Sequence, residues 1–125
     1  MLSSCSVSNR LVGVCLGLLV LLPVVGCGPS ESIPPSELRH RITTMSTDDL
    51  LSLTREYRDA CLECRQQMAK VRAKIKANPQ GPRITTLSKK ASEITRRMGK
   101  LDARYRICFD ALSHRGVNVE DLKID

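Results

Sequence analysis

The sequence predicts an all-α fold, an antiparallel two-helix hairpin with coiled-coil-like packing and short helical pieces at its base. The first observation is apolar spacing: two stretches of about 30 residues each carry apolar residues at steps of three and four, the period of packed helices. The second is the break between them, Asn78-Pro79-Gln80-Gly81-Pro82. Two prolines and a glycine within five residues do not continue a helix, so residues 78–82 are predicted to be the turn.

The first long helix is predicted over about 47–77. Ser46 precedes it as a capping residue, Asp49 follows three positions later as in a capping box, and Met45 can pack against Leu50. Its apolar positions run Leu50, Leu53, Tyr57, Cys61, Cys64, Met68, Val71 and Ile75. Two successive steps of four, from Leu53 through Tyr57 to Cys61, predict a local stutter in this otherwise regular seam.

The second long helix is predicted over about 82–114, with Gly81 as its N-cap and Pro82 as its first residue, where the missing N–H is tolerated. Its apolar positions are uninterrupted across four heptads: Ile84, Leu87, Ala91, Ile94, Met98, Leu101, Tyr105, Cys108 and Leu112. Folding about the turn places Cys61 opposite Met98, and Leu50 opposite Cys108. Each arm would be about 45 Å long for 30 residues.

Two helices alone leave apolar surface uncovered at the base of the hairpin. Residues 36–44 can form a short helix there, and the tail after Gly116 can form another turn capped by Asn118. A homodimer, with two hairpins forming a four-helix bundle, would cover the same surface. The sequence leaves these solutions open.

The amino terminus has the pattern of an export signal. One basic residue, Arg10, precedes the uncharged apolar run from Leu11 to Gly26. That run would extend only about 24 Å as a helix, less than the roughly 30 Å hydrocarbon layer of a bilayer. A basic start, a short apolar segment and an exit of small residues are typical of a cleaved signal peptide rather than a permanent membrane span.

The exit of this run, Val24-Val25-Gly26-Cys27, resembles the lipobox of bacterial lipoproteins. The resemblance implies diacylglycerol on the Cys27 sulfur, cleavage before Cys27 and acylation of the new amino terminus. Gly28 stands where an aspartate in that family retains the protein in the inner membrane. The resemblance therefore implies a lipid-anchored protein that faces the periplasm, with the outer membrane favoured if the cell has one.

These patterns divide the chain into three segments. Residues 1–26 are the predicted signal peptide, residues 27–35 a flexible tether, and residues 36–125 the helical hairpin domain. The tether follows from "GPSESIPP" after Cys27, which is rich in proline and serine.

Charge is concentrated at the turn end of the hairpin. From Arg65 to Arg106 there are thirteen lysines and arginines against two acidic residues. The basic residues predicted to surround the tip are Lys70, Arg72, Lys74, Lys76, Arg83, Lys89 and Lys90. Such a surface attracts anionic partners, here cell-wall carboxylates, lipid headgroups or acidic proteins, although basic faces of helices are often merely solvated. The export signal and the lack of aromatic residues near the tip argue against nucleic acid as a partner.

Three cysteines remain after signal cleavage, and two of them form a C-x-x-C pair, Cys61 and Cys64. Arg65 follows the pair where a c-type haem site requires histidine, so that site is excluded. A soft-metal site is conceivable because Cys61, Cys64 and Met68 share one helix face, with Met98 opposite. Buried seam thiols without any metal are the simpler interpretation. In the predicted register, the axial offset between Cys108 and the pair is too large for a disulfide.

No set of residues specifies a reaction, because two histidines and scattered carboxylates provide no nucleophile with a base at a recognisable spacing. We therefore expect a non-catalytic, lipid-anchored envelope protein that presents a basic hairpin tip to an anionic partner, with no catalytic residues, cofactor or resident metal. The alternative is a periplasmic copper-binding or thiol-redox protein that uses Cys61 and Cys64.

Overall fold

A computed structural model describes residues 29–125, and within that range every regular element is helical. Helix α1 spans Pro35–Thr44, α2 spans Thr47–Ala77, and α3 spans Ile84–His114, followed by a 3₁₀ turn at Glu120–Leu122. The long helices α2 and α3 pack against each other on either side of the short turn, and α1 packs on α3. The predicted all-α hairpin is confirmed.

The start of α2 is fixed by the predicted N-cap, Ser46. The Ser46 hydroxyl oxygen accepts a hydrogen bond from the Asp49 backbone N–H at 3.1 Å, and the same hydroxyl donates one to the Asp49 carboxylate at 2.7 Å, so Asp49 binds the Ser46 side chain rather than its backbone N–H as in a full capping box. This arrangement satisfies a backbone donor that the first turn of a helix otherwise leaves free. Leu50 is fully buried in the apolar core beside this cap, and Met45 is partly buried and packs against that core.

The turn at the far end differs from the prediction in where α3 begins. Ile84, not Pro82, is the first helical residue, and Arg83 rather than Gly81 is the N-cap. The reason is that the Gly81 carbonyl accepts the Ile84 N–H at 3.0 Å, while the Gly81 N–H donates to Asn78 at 3.2 Å. Pro82 is therefore part of the turn. A Cβ at Gly81 would lie 2.5 Å from the side-chain amide nitrogen of Asn78, so the Asn78 side chain would have to move to accommodate it.

The predicted stutter in α2 is wrong, because the buried residue at that point is Thr54 and Leu53 is only partly buried. The seam then alternates steps of four and three without interruption through Leu50, Thr54, Tyr57, Cys61, Cys64, Met68 and Val71. Thr54 tolerates full burial because its hydroxyl donates to the Leu50 carbonyl, one turn earlier, at 2.7 Å.

The base of the hairpin is covered by the chain's own short elements. Helix α1 contributes Leu38 and Ile42 to the core, and the 3₁₀ turn contributes Leu122. The predicted cap at Asn118 is present, since its side-chain oxygen accepts the Glu120 N–H at 3.0 Å. Both short elements that the sequence predicts are thus confirmed, whereas these contacts give no support to the predicted dimer.

Helix α3 ends at a glycine with a left-handed backbone. Gly116 has φ of 75°, and the chain turns back so that the Val117 N–H donates to the Leu112 carbonyl at 3.2 Å. This is the Schellman-type ending that favours glycine, because a Cβ is strained at positive φ. The reversal directs the carboxyl-terminal residues back along the hairpin.

Candidate functional site

The basic tip is defined by the seven residues that the sequence predicts around the turn. All of them are exposed, and none forms an ion pair within the part of the chain that the structure describes: Lys70, Arg72, Lys74, Lys76, Arg83, Lys89 and Lys90. Between Glu63 and Glu93 the sequence holds eight lysines and arginines and no acidic residue. The tip is therefore a surface of one sign without internal neutralisation.

A groove of about 450 Å³ opens at the tip between the ends of the two long helices. Lys74 and Arg83 line it together with the apolar side chains of Pro82, Ile84 and Leu87. Because two cations lie beside an apolar lining, the groove suits a ligand that combines an anionic group with apolar atoms.

Basic residues also recur at intervals of seven along each long helix, and residues spaced by seven lie on one stripe of a packed helix. The α3 stripe is Arg83, Lys90, Arg97 and Arg104. The α2 stripe is Arg58, Arg65 and Arg72. On both stripes the members nearest the turn are exposed and without ion pairs among residues 29–125, whereas the members farther from it bind other parts of the chain.

The α3 stripe binds the segment that precedes α1. Arg104 is only 6% exposed, and its Nε and Nη2 donate to the Ile33 carbonyl at 3.0 and 2.6 Å. Arg97 forms an ion pair with Glu31, and hydrogen bonding to that carboxylate raises the pKa of Arg97. The Tyr57 hydroxyl donates to the Ser30 carbonyl at 3.1 Å. Part of the segment predicted to be a flexible tether over 27–35 is thus packed against the hairpin, and Pro35 already belongs to α1.

The α2 stripe binds the carboxyl-terminal segment in a similar way. Arg58 donates to the Asp121 carbonyl at 2.6 Å, and Arg65 donates to the Asp125 backbone oxygen. Tyr105 adds a hydrogen bond from its hydroxyl to the Leu122 carbonyl at 2.6 Å. The two ends of the domain are therefore fixed to the hairpin by arginines and tyrosines of the long helices.

The three cysteines of the described residues, Cys61, Cys64 and Cys108, are free and buried in the seam. Burial raises the pKa of Cys61 to about 11 and that of Cys108 to about 12, and it also raises the pKa of Cys64. Cys61 lines a groove of about 380 Å³ with Met98, the residue predicted to face it. Since the thiolate is both the nucleophile and the metal ligand, these protonated thiols are poorly suited to redox exchange at neutral pH.

Several predicted features fall outside the described residues, namely the signal peptide 1–26 and the lipid-attachment residue Cys27. Among residues 29–125, no group of three or more His, Cys, Asp or Glu side chains is arranged to bind a metal ion. None of the helices in the same range has a stretch long and apolar enough to cross a bilayer.

Sequence reasoning missed the arginines and tyrosines that bind the two terminal segments. The seven-residue spacing of arginine on both helices was the signal that could have identified them, because regular spacing places them on common faces. Compared with known proteins, the chain matches no family model, and no curated protein or solved structure is similar enough to count as a match.

Proposed function

We propose that this chain is a non-catalytic, lipid-anchored protein of the cell envelope that presents its basic tip to an anionic partner. The partner would be the cell wall, lipid headgroups or an acidic protein face. The anchor would be Cys27, on the strength of the lipobox-like sequence Val24-Val25-Gly26-Cys27. It would hold the domain on the periplasmic side of a membrane, the outer one if the cell has one.

The observation that carries the binding proposal is the unneutralised charge of the tip. Seven exposed cations without ion pairs in the described range repel one another, which opposes folding and favours an anionic partner. Elsewhere in the domain, several basic residues do have carboxylate partners, such as Arg97 with Glu31 and Arg106 with Asp102. The tip groove provides two of its cations, Lys74 and Arg83, in one concave surface.

The thiol-redox or copper-binding alternative has weaker support. Cys61 and Cys64 are buried, and burial raises the pKa of both thiols, which favours their role as apolar seam residues. His40 and His114 are exposed, and the His114 ring Nδ1 lies 2.7 Å from the Asp110 carbonyl of its own helix. Neither histidine is paired with a nucleophile in the described contacts.

The anchor is tested by metabolic labelling with a palmitate analogue. The wild-type protein is expected to incorporate label and fractionate with membranes, and Cys27→Ala is expected to lose both properties. Label retained in Cys27→Ala would contradict attachment at this residue.

Binding by the tip is tested by sedimentation with isolated cell walls and with anionic vesicles over a range of salt concentrations. We expect binding that weakens steeply as salt shortens the Debye length, from about 10 Å at 0.1 M to 3 Å at 1 M. The double variant Lys70→Gln/Lys76→Gln should bind less. Lys100→Gln/Lys123→Gln removes the same charge outside the tip and is the matched control. Equal binding by the two variants would contradict the proposal.

A further inference from the structure

The direction of the docked segment shows where the chain leaves the hairpin. Helix α3 runs from the turn toward the base, so Arg97 lies nearer the turn than Arg104 does. Arg104 binds Ile33, and Arg97 binds Glu31. Followed backwards from α1, the segment therefore runs from the base to the middle of the hairpin at Glu31, while the Ser30 carbonyl is bound by Tyr57, ten residues from the base end of α2.

Chain length then limits the position of the proposed lipid anchor. Cys27 is four residues before Glu31, and four residues span at most about 14 Å. The proposed anchoring residue is therefore tethered close to the side of the hairpin that binds the docked segment through Arg97 and Arg104.

We propose that the anionic partner of the basic tip is the bilayer that anchors the chain, with Lys74, Arg83 and Lys90 binding the headgroups of anionic phospholipids. This inference rests on the proposed lipid attachment at Cys27 and names the partner that the proposed function leaves open. The domain would lie along the membrane with the docked segment turned toward it, rather than project away from its base.

Two observations and one general magnitude favour lipid over the other anionic partners. Lys90 and Arg83 continue the α3 stripe beyond the two arginines that bind residues 31 and 33, so they lie on the side of the hairpin that binds the docked segment. Lys74 and Arg83 line one groove together with the apolar residues Pro82 and Leu87. This combination of cations and apolar surface suits a phosphate group that is attached to apolar acyl chains. Juxtamembrane cations add about 1 kcal/mol each on an anionic leaflet, which is about fivefold in the docking equilibrium.

The test uses the full chain, produced in a host that lipidates it and reconstituted into vesicles. Vesicles of phosphatidylcholine alone are compared with vesicles that also contain phosphatidylglycerol, and lysines are modified with a water-soluble acetylating reagent and read by mass spectrometry. We expect Lys74 and Lys90 to react at least about fivefold more slowly on the anionic vesicles, an effect that high salt removes. Lys123, in the carboxyl-terminal segment bound by the other stripe, should react equally on both.

A matched pair of variants tests the orientation. Arg83→Gln should reduce the protection of Lys74 and Lys90 on anionic vesicles, with the docking equilibrium about fivefold weaker. Arg96→Gln removes an exposed charge from another face of α3, outside the basic tip and without an ion pair among residues 29–125, and should leave that protection unchanged. An equal loss in both variants would overturn the side-on orientation. Circular dichroism verifies that both variants remain helical.

The outcomes separate this inference from the proposed function. Failure of the wild-type protein to float with neutral vesicles would overturn the lipid anchor, and with it both proposals. Flotation with identical lysine reactivity on neutral and anionic vesicles would overturn headgroup docking and leave the anchor intact. Protection that requires added cell-wall fragments instead of phosphatidylglycerol would overturn the lipid assignment in favour of the cell wall.

Discussion

Replacing Arg104 with methionine tests the docking of the amino-terminal segment. Methionine keeps most of the apolar stem of the arginine side chain and removes the guanidinium. Two of its hydrogen bonds end on the Ile33 carbonyl, at 3.0 and 2.6 Å, and a third ends on the Lys100 carbonyl within α3. The first two share one acceptor, so we count them as one charge-assisted interaction of about 2 kcal/mol. That loss should raise the population of the undocked segment about 30-fold.

A glutamate-specific protease measures that population directly. Glu31 lies within the docked segment and pairs with Arg97, so cleavage after it requires the segment to leave the hairpin. When opening and closing are fast relative to cleavage, the cleavage rate follows the population of the open form. The lipidated protein in detergent micelles is digested, and the product cut after Glu31 is quantified by mass spectrometry. Arg104→Met is expected to release it about 30-fold faster.

Arg106→Met is the matched control, because it makes the same change two residues away on α3. Arg106 is exposed and pairs only with Asp102 one turn earlier, a contact worth a few tenths of a kcal/mol. Its cleavage rate after Glu31 should equal that of the wild type. If Arg104→Met and Arg106→Met are cut at the same rate, the docked segment does not depend on Arg104 and the reasoning is refuted.

Three further changes have expected results that thermal unfolding or titration can check. Gly99→Ala should stabilise the domain by about 0.5–1 kcal/mol, because Gly99 lies inside α3 with nothing within 4 Å of a new Cβ. Gly116→Ala should instead destabilise the domain by about 1 kcal/mol, because Gly116 has a positive φ. A change of the same sign in both variants would contradict the account. Thr54→Leu should lower the free energy of unfolding by about 1–3 kcal/mol, because it overpacks a fully buried position. An unchanged free energy would indicate that Leu53, rather than Thr54, occupies the seam. Burial raises the pKa of Cys61 to about 11 and that of Cys108 to about 12, so the folded state keeps thiol protons that the unfolded state loses above its ordinary pKa of 9.0. The contribution of these thiols to stability should therefore be constant below pH 9 and fall as pH rises toward 11 and 12. Because burial also raises the pKa values of Cys64, Tyr57 and Tyr105, a Cys61→Ala/Cys108→Ala variant should weaken this dependence without abolishing it, and an unchanged dependence would rule out a contribution from these two thiols.

Much of the fold followed from local sequence signals. Ser46 and Asp49 form the predicted cap because both partners lie within four residues of each other. The turn at 78–82 followed from proline and glycine, although the start of α3 shifted to Ile84 because the Gly81 carbonyl closes the turn. The tip lysines and arginines were found because an uninterrupted run of one charge is visible without knowledge of the fold.

The features that sequence reasoning missed depend on partners distant in the chain. Thr54 counts as polar and Leu53 as apolar, but a hydroxyl that binds its own helix can be buried where geometry demands it. No local signal in the sequence indicates that Arg104 is buried, since its acceptor, the Ile33 carbonyl, lies 71 residues away. Composition made residues 27–35 a flexible tether for the same reason, because proline and serine content says nothing about the arginine donors on α3.

The intact mass of the protein recovered from bacterial membranes tests the central proposal most directly. The account predicts a mature chain that begins at Cys27 and carries a diacylglycerol group together with an amino-terminal acyl chain. Recovery of a chain that retains Met1, or of one whose Cys27 is an unmodified thiol, would contradict it.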